Sequence, residues 1–256
     1  MKRKAILIES SNVQGQTDLP GARKDVENWR AFLTSELGGN WATDDVVTLR
    51  KPLSKDVQSA LDVHADCYCF VAFSGHGCDG SVVLNEGYTT FPIKQLQPKT
   101  EKGTLIVDAC RGVEGSTERA ILAKAAAINE SLDISLANIR VAKLITFNAA
   151  QLGETKGLPY ASTYSAKWEE ALNKSLKGIV EMLSCAKGQG AGEDPNAGGY
   201  YTSLLMQAAR TFSETHSSGN VQNTKEAHDY AASLLPPQQT PEYTPGWLSF
   251  PFAVSL

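Results

Sequence analysis

Two stretches decide how this chain reads: Phe70-Val71-Ala72-Phe73-Ser74-Gly75-His76-Gly77 and Thr104-Leu105-Ile106-Val107-Asp108-Ala109-Cys110-Arg111-Gly112. Each begins as an uninterrupted apolar run of strand length, which suits a parallel sheet covered on both faces better than a strand half exposed to water. Each then breaks off in small and polar residues and delivers one reactive side chain, an imidazole in the first and a thiol in the second. In open α/β sheets functional groups collect at the carboxyl ends of the strands. Taken singly, His76 also reads as a hydrogen-bonded structural histidine and Cys110 as a small buried hydrophobe. Taken together they suggest a nucleophile and its base, because a thiol becomes reactive near neutral pH when an imidazole takes its proton. The adjoining glycines allow a substrate backbone to approach and leave amide N–H groups for a developing oxyanion.

Outward from these stretches, strands and helices alternate. Residues 4–9 form a further buried strand. Gly21 opens a helix with Val26, Trp29, Phe32, Leu33 and Leu37 at helical spacing, stopped by Gly38-Gly39. Residues 45–49 are the next strand, followed by Ser54 as N-cap of a helix carrying Val57, Leu61 and Val63. Val82-Val83-Leu84 and residues 88–91 flank Asn85-Glu86-Gly87 as a hairpin, and residues 142–147 are a fifth buried strand. The spacing of Trp168, Leu172, Leu176, Ile179, Val180 and Leu183 predicts one amphipathic helix over 164–183. Residues 188–199, containing Glu193-Asp194-Pro195-Asn196, are Gly-rich and predicted to be a mobile loop. Two shorter helices over 200–212 and 224–235 precede an extended segment over 247–254. Nothing repeats and no linker divides the chain, so one α/β domain with a mainly parallel sheet is expected over 1–256.

Composition excludes several classes. With 256 residues, 42% hydrophobic and 20% charged, the chain has ample length to bury a core. No stretch approaches the ~18 apolar residues of a membrane span. Met1-Lys2-Arg3-Lys4 passes at once into Ala5-Ile6-Leu7-Ile8, too short for a signal-peptide core. A net charge of −4 with no basic stripe speaks against a nucleic-acid partner. Five cysteines, odd in number and sparse, suit reduced thiols in a cytoplasmic protein. Cys67 and Cys69 share one strand face and belong to the core, whereas Cys185 is expected at the surface. His64, His216 and His228 lack metal-ligand spacing, so neither a metal nor another cofactor is expected.

The motifs around His76 and Cys110 resemble the His-Gly and Cys-Arg-Gly signatures of caspase-like cysteine peptidases, which include caspases, metacaspases and paracaspases. The resemblance covers most of the chain. It implies the caspase–hemoglobinase fold, a three-layer sandwich with a six-stranded, mostly parallel sheet. It also implies that Cys110 is the nucleophile, that His76 is the general acid/base, and that the Gly77 and Cys110 amides form the oxyanion hole. It divides the chain into a part bearing the dyad (1–111), a processing linker (112–140) containing Arg119, Lys124 and Arg140, and a smaller part (141–256) with an insertion over 158–199.

Two departures from the caspase pattern carry information. The caspase signature is Gln-Ala-Cys-Arg-Gly with the His roughly 50 residues upstream, whereas here Asp108 replaces the Gln and the dyad residues lie 34 apart. Side chains two apart on a strand share a face, so Asp108 should sit beside Cys110 and Ser74 beside His76. A carboxylate there favours a cationic substrate side chain and repels an acidic one. Metacaspases and paracaspases, which cut after Arg or Lys, are similar in having Asp at this position. Asp25 matches the acid their first helix contributes, and Glu154 is a third candidate. Bland readings stand beside these: Asp25 as a complement to a helix dipole, Glu154 as a solvated loop residue, and Arg111 as the neutralising partner of Asp108.

The resemblance therefore implies a cysteine endopeptidase that cleaves protein or peptide substrates after Arg or Lys. It further implies a zymogen processed by itself or switched on by an activating protein or ligand, of the prokaryotic stand-alone kind that acts in stress or antiviral defence. An Asp-specific caspase is the competing enzyme, and a silent scaffold domain the competing non-enzyme. Some relatives require calcium, and Asp79 alone is too little to imply it. A redox or flavodoxin-like domain would need a Cys-x-x-Cys pair or a phosphate-binding Gly loop, and neither is present.

Overall fold

The computed structural model describes residues 1–13, 16–78, 80–84, 90–112 and 161–256. The apolar runs form the strands of one six-stranded sheet: β1 (Arg3–Ser10), β2 (Val46–Arg50), β3 (Tyr68–Gly75), β7 (Lys102–Asp108), β8 (Gly178–Leu183) and β12 (Glu242–Thr244). Their order is β12-β8-β7-β3-β1-β2, parallel throughout except for the antiparallel edge strand β12. Between β3 and β7, a small antiparallel sheet of β4 (Gly77–Cys78), β5 (Ser81–Val83) and β6 (Thr90–Pro92) leads into a short helix, α3 (Ile93–Leu96). β5 and β6 pair as the expected hairpin, whose turn lies outside the described residues.

Both faces of the large sheet are covered, which is why its strands carry no polar alternation. Ala5, Leu7, Tyr68, Phe70, Ala72 and Ile106 face four helices: α1 (Pro20–Thr34), α4 (Ala161–Lys174), α5 (Tyr200–Thr215) and α6 (Thr224–Leu234). Ile6, Ile8, Val71, Phe73, Leu105 and Val107 face α2 (Ser54–Leu61), α3 and the small sheet. The result is the expected three-layer α/β sandwich. Trp29 of α1 fills the first layer, with ring centroids 5.0 Å from Phe70 and 6.1 Å from Phe252 of β13 (Pro251–Val254). β13 pairs antiparallel with β11 (Val221–Asn223), so the extended C-terminal segment ends as a strand, with Trp247 before it exposed. Among the described residues no helix is long and apolar enough to cross a membrane.

Four expectations change. The helix expected over 164–183 ends at Lys174, and 178–183 is strand β8, paired with β7 from Lys102↔Gly178 to Val107↔Leu183. The helix stops because the Lys102 ammonium takes the Leu172 and Asn173 carbonyls, at 2.7 and 3.2 Å. A strand of the main sheet thus lies within the expected insertion over 158–199. Residues 188–199, expected to be mobile, hold a two-stranded ladder of β9 (Glu193–Asp194) and β10 (Gly198–Gly199). Its turn is closed by the Asp194 carboxylate, which accepts the Asn196 and Ala197 amides at 2.7 and 2.8 Å. Ser54 is the first helical residue rather than the cap, and the Asp56 carboxylate takes the Leu53 amide at 3.0 Å. Cys185 is fully buried, its thiol beside the Ala109 carbonyl. The strand expected over 142–147 lies outside the described residues.

Because Trp29 bridges a helix, the sheet and the C-terminal strand, Trp29→Ala should lower unfolding free energy by about 3–5 kcal/mol. Urea denaturation with an unchanged slope would measure it.

Candidate active site

The alternation that fills the core also places the polar residues at the strand ends. Phe70, Ala72 and Ile106 point to the α1 face, so by the same period Ser74 and Asp108 do too, and these two are the last paired rung of β3 and β7. Each strand then runs two residues further, to His76 and to Cys110. Gly77 closes the gap between them. A Cβ at that position would stand 2.6 Å from the Cys110 carbonyl oxygen and 2.9 Å from the Ala109 methyl group, so only glycine allows the two strand ends to approach this closely.

His76 is held at its backbone and at its ring. Its amide donates to the Ser10 carbonyl at 3.4 Å and its carbonyl accepts from Val83 at 2.9 Å. Nε2 lies 2.7 Å from the Thr17 carbonyl oxygen. A carbonyl can only accept, so Nε2 carries the proton and Nδ1 keeps its lone pair in the neutral ring. Cys110 is half-buried, and its sulfur receives the Ala191 amide at 3.4 Å. Burial pushes the thiol up, and the Ala191 amide pulls it the other way. The segment carrying Ala191 also pairs with the residue after the thiol: the Arg111 amide donates to Gln189 at 2.9 Å and the Gly188 amide to Arg111 at 2.6 Å. Gln239, buried, braces this segment by accepting the Gly192 amide at 3.0 Å and donating to the Ser184 carbonyl at 3.2 Å.

Beside the thiol lies a cluster of buried carboxyl groups. Asp25 continues the inward stripe of α1 formed with Asn28, Trp29 and Phe32, and is 0% exposed. It accepts the Ser74 hydroxyl at 2.5 Å and the Gly199 amide at 2.8 Å. Asp108, 5% exposed, accepts the Thr202 hydroxyl at 2.8 Å and its amide at 3.1 Å, at the start of α5. A Cβ on Gly199 would collide with the Asp108 carboxylate, so this backbone approaches the acids only as glycine. Burial, then the neighbouring Asp108, pushes Asp25 well above the usual carboxylate range, and burial also raises Asp108. Glu193 of β9 joins them. Burial pushes it up to about 7 against the opposing pull of the Gly21 and Ala22 amides at the start of α1, and Asp108 adds to the rise.

Arg111 does not neutralise Asp108. Its guanidinium pairs with Glu242 and donates to the Cys185 carbonyl at 3.0 Å. Nor is Asp25 a helix cap, since its carboxylate turns inward to Ser74 and Gly199. The structure therefore brings Asp25, Ser74 and Asp108 into one cluster and sets His76, Gly77 and Cys110 at the adjoining strand ends. Glu154 and Asp79 lie outside the described residues. Sequence reading missed Glu193, Thr202 and Thr17. Glu193 and Asp194 stood out only as the sole acids of a Gly-rich loop, whereas the Thr17 contribution is a backbone carbonyl and leaves no side-chain signature.

A family model for the caspase domain matches residues 2–248. The chain belongs to the caspase-domain family. Among solved structures it resembles protein GSU0716 from Geobacter sulfurreducens, with a TM-score of 0.59 and 14% identity over 100% of both chains. It also resembles caspase-1 from Spodoptera frugiperda, with a TM-score of 0.56 and 14% identity over 95% of this chain and 86% of that one. Likeness at this identity shows a shared fold. No curated protein matches the chain significantly in sequence. Membership in this family supports a cysteine peptidase in general.

A raised carboxyl group has a signed consequence for stability. Between its ordinary value of 4.5 and about 7, folded Glu193 holds a proton that the unfolded chain has lost, so its contribution makes stability fall as pH rises through that window. Glu193→Gln should remove this fall. Its melting temperature minus that of the wild type should become more positive from pH 5 to pH 8, and a flat or declining difference would contradict the assignment.

Proposed function

We propose that this chain is a cysteine endopeptidase in which His76 and Cys110 form the catalytic dyad and Asp25, Asp108 and Glu193 select Arg or Lys on the substrate. The observation that carries the reading is the burial of Asp25 and Asp108 against uncharged donors, one rung from the strand ends that bear the thiol and the imidazole. A buried carboxylate costs several kcal/mol unless charge meets it, and a substrate cation supplies that charge. The guanidinium of Arg suits two carboxylates better than an ammonium does, because its planar fork can address both. An acidic side chain would meet only like charge, which disfavours the Asp-specific alternative.

In this mechanism His76 Nδ1 takes the Cys110 proton, and the Thr17 carbonyl, already on Nε2–H, stabilises the imidazolium that results. The thiolate attacks the peptide carbonyl, and the Gly77 and Cys110 amides receive the oxyanion. The imidazolium protonates the leaving amine and an acyl-enzyme remains. The free imidazole then activates water, which releases the product acid and restores the thiol. The Ala191 segment on the sulfur must yield to substrate, which makes it a point at which an activator would act. Arg119, Lys124 and Arg140 in the 112–140 linker are sites at which an enzyme of this specificity would process itself, and a role in stress or antiviral defence fits such control.

Paired peptide substrates differing only in Arg, Lys or Asp before the scissile bond test the reading. The Arg and Lys substrates should be cleaved and the Asp substrate not, with Cys110→Ala inactive on all three. Asp108→Asn should lower kcat/KM for the Arg substrate by roughly 30-fold or more, the loss expected when one partner of a buried charge pair is removed. Cleavage after Asp would favour the caspase-type specificity. No cleavage of any peptide by chain already cut within 112–140 would favour the scaffold reading.

A further inference from the structure

The Thr17 carbonyl that receives the His76 ring belongs to the loop between β1 and α1, and a side-chain ion pair next to the contact fastens that loop to the helix. Asp18, the following residue, meets Arg23 of α1 fork to fork, Oδ1 with Nη1 and Oδ2 with Nη2, both at 2.6 Å. The same Nη1 donates to the Ser11 hydroxyl at 3.0 Å, and Ser11 is buried just past the end of β1. The Leu19 amide closes the neck of the loop on the Ser11 carbonyl at 3.0 Å, and the Gln16 amide takes Val13 at 3.0 Å. One guanidinium thus ties the exit of β1, the far arm of the loop and the first turn of α1. The hydrogen bond to Arg23 also holds the Asp18 carboxyl below its ordinary range.

Thr17 C=O and Asp18 N–H belong to one planar peptide unit, so a constraint on Asp18 sets the direction in which the Thr17 oxygen points. We propose that the Arg23–Asp18 pair positions His76, fixing this peptide plane so that its carbonyl keeps the imidazole in the Nε2–H tautomer and leaves Nδ1 as the base. The proposal rests on the reading of His76 and Cys110 as the dyad. The two side chains remain 36% and 44% exposed, so the pair contributes little to global stability, yet it acts on a single hydrogen bond whose geometry the proposed chemistry needs. Lysine at position 23 would keep the charge and lose the fork.

The test uses the full chain with Arg23→Gln, Arg23→Lys and Asp18→Asn. Ring nitrogen NMR, with the His76 signals assigned by their loss in His76→Gln, should show the Nε2–H tautomer in the wild type and a mixture of tautomers in Arg23→Gln and Asp18→Asn. On an Arg substrate, kcat should fall roughly tenfold or more in those two variants with KM changed less than about twofold. Arg23→Lys should be intermediate in both readouts, and all three should melt within about 3 °C of the wild type. An unchanged His76 ring spectrum would overturn the proposal, as would a loss of kcat that merely follows a loss of folded protein. If the wild type cleaves no peptide, the peptidase reading fails on its own, and the ring spectra still decide whether Arg23 and Asp18 position His76.

Discussion

The rung that pairs Ser74 of β3 with Asp108 of β7 organises this molecule's functional end. Parallel strands fix their register along their whole length. The apolar residues from Tyr68 and Lys102 onward therefore determine which side chains stand opposite each other at the carboxyl edge. With Ser74 and Asp108 in register, the next residues of the same parity are His76 and Cys110. A slip of one residue would turn Asp108 to the α2 face and Val107 towards Asp25. The packing of two hydrophobic layers thus sets the positions of thiol, imidazole and carboxylate at once.

The same end of the sheet gathers three carboxyl groups whose charged forms are disfavoured by burial. Burial raises Asp25, Asp108 and Glu193, and the charge of Asp108 raises the other two further. Ser74, Thr202 and the amides of Gly21, Ala22 and Gly199 offset part of that cost with uncharged hydrogen bonds. Arg111, three residues after Asp108, is engaged elsewhere by Glu242. Local rules are commonly broken where a protein binds something that mends them, and a cation is the ligand that would mend this one. The thiol is treated similarly, pushed up by burial and partly relieved by the Ala191 amide, so in the proposed mechanism its activation is left to the imidazole.

What could be read from the residues follows physical range. The buried strands, the helix stripe of Val26, Trp29 and Phe32, and the two motif-bearing strand ends are written in local periodicity and were legible. Asp25 was legible as a matched acid, but its inward direction became visible only once the α1 stripe met the sheet. The helix over 164–183 misled because Trp168 and Leu172 are helical in spacing while Ile179, Val180 and Leu183 are a strand-like apolar run, and no proline separates them. The break comes from Lys102, distant in sequence, capping the helix. Glu193 lay in a Gly-rich loop whose composition suggests mobility, and its order depends on Asp194 and on Asp25, 168 or more residues earlier, receiving the Gly199 amide. The backbone carbonyl of Thr17 could not be inferred, since any residue there supplies one.

If carboxylates beside a His–Cys dyad select the substrate, as proposed, this chain cuts after basic residues. The most direct measurement is unbiased mapping of new N-termini in a proteome digested by the wild-type chain, with Cys110→Ala as the reference. Cleavage sites present only with the wild type and preceded by Arg or Lys are expected. Sites preceded by Asp, or an identical pattern from Cys110→Ala, would contradict it.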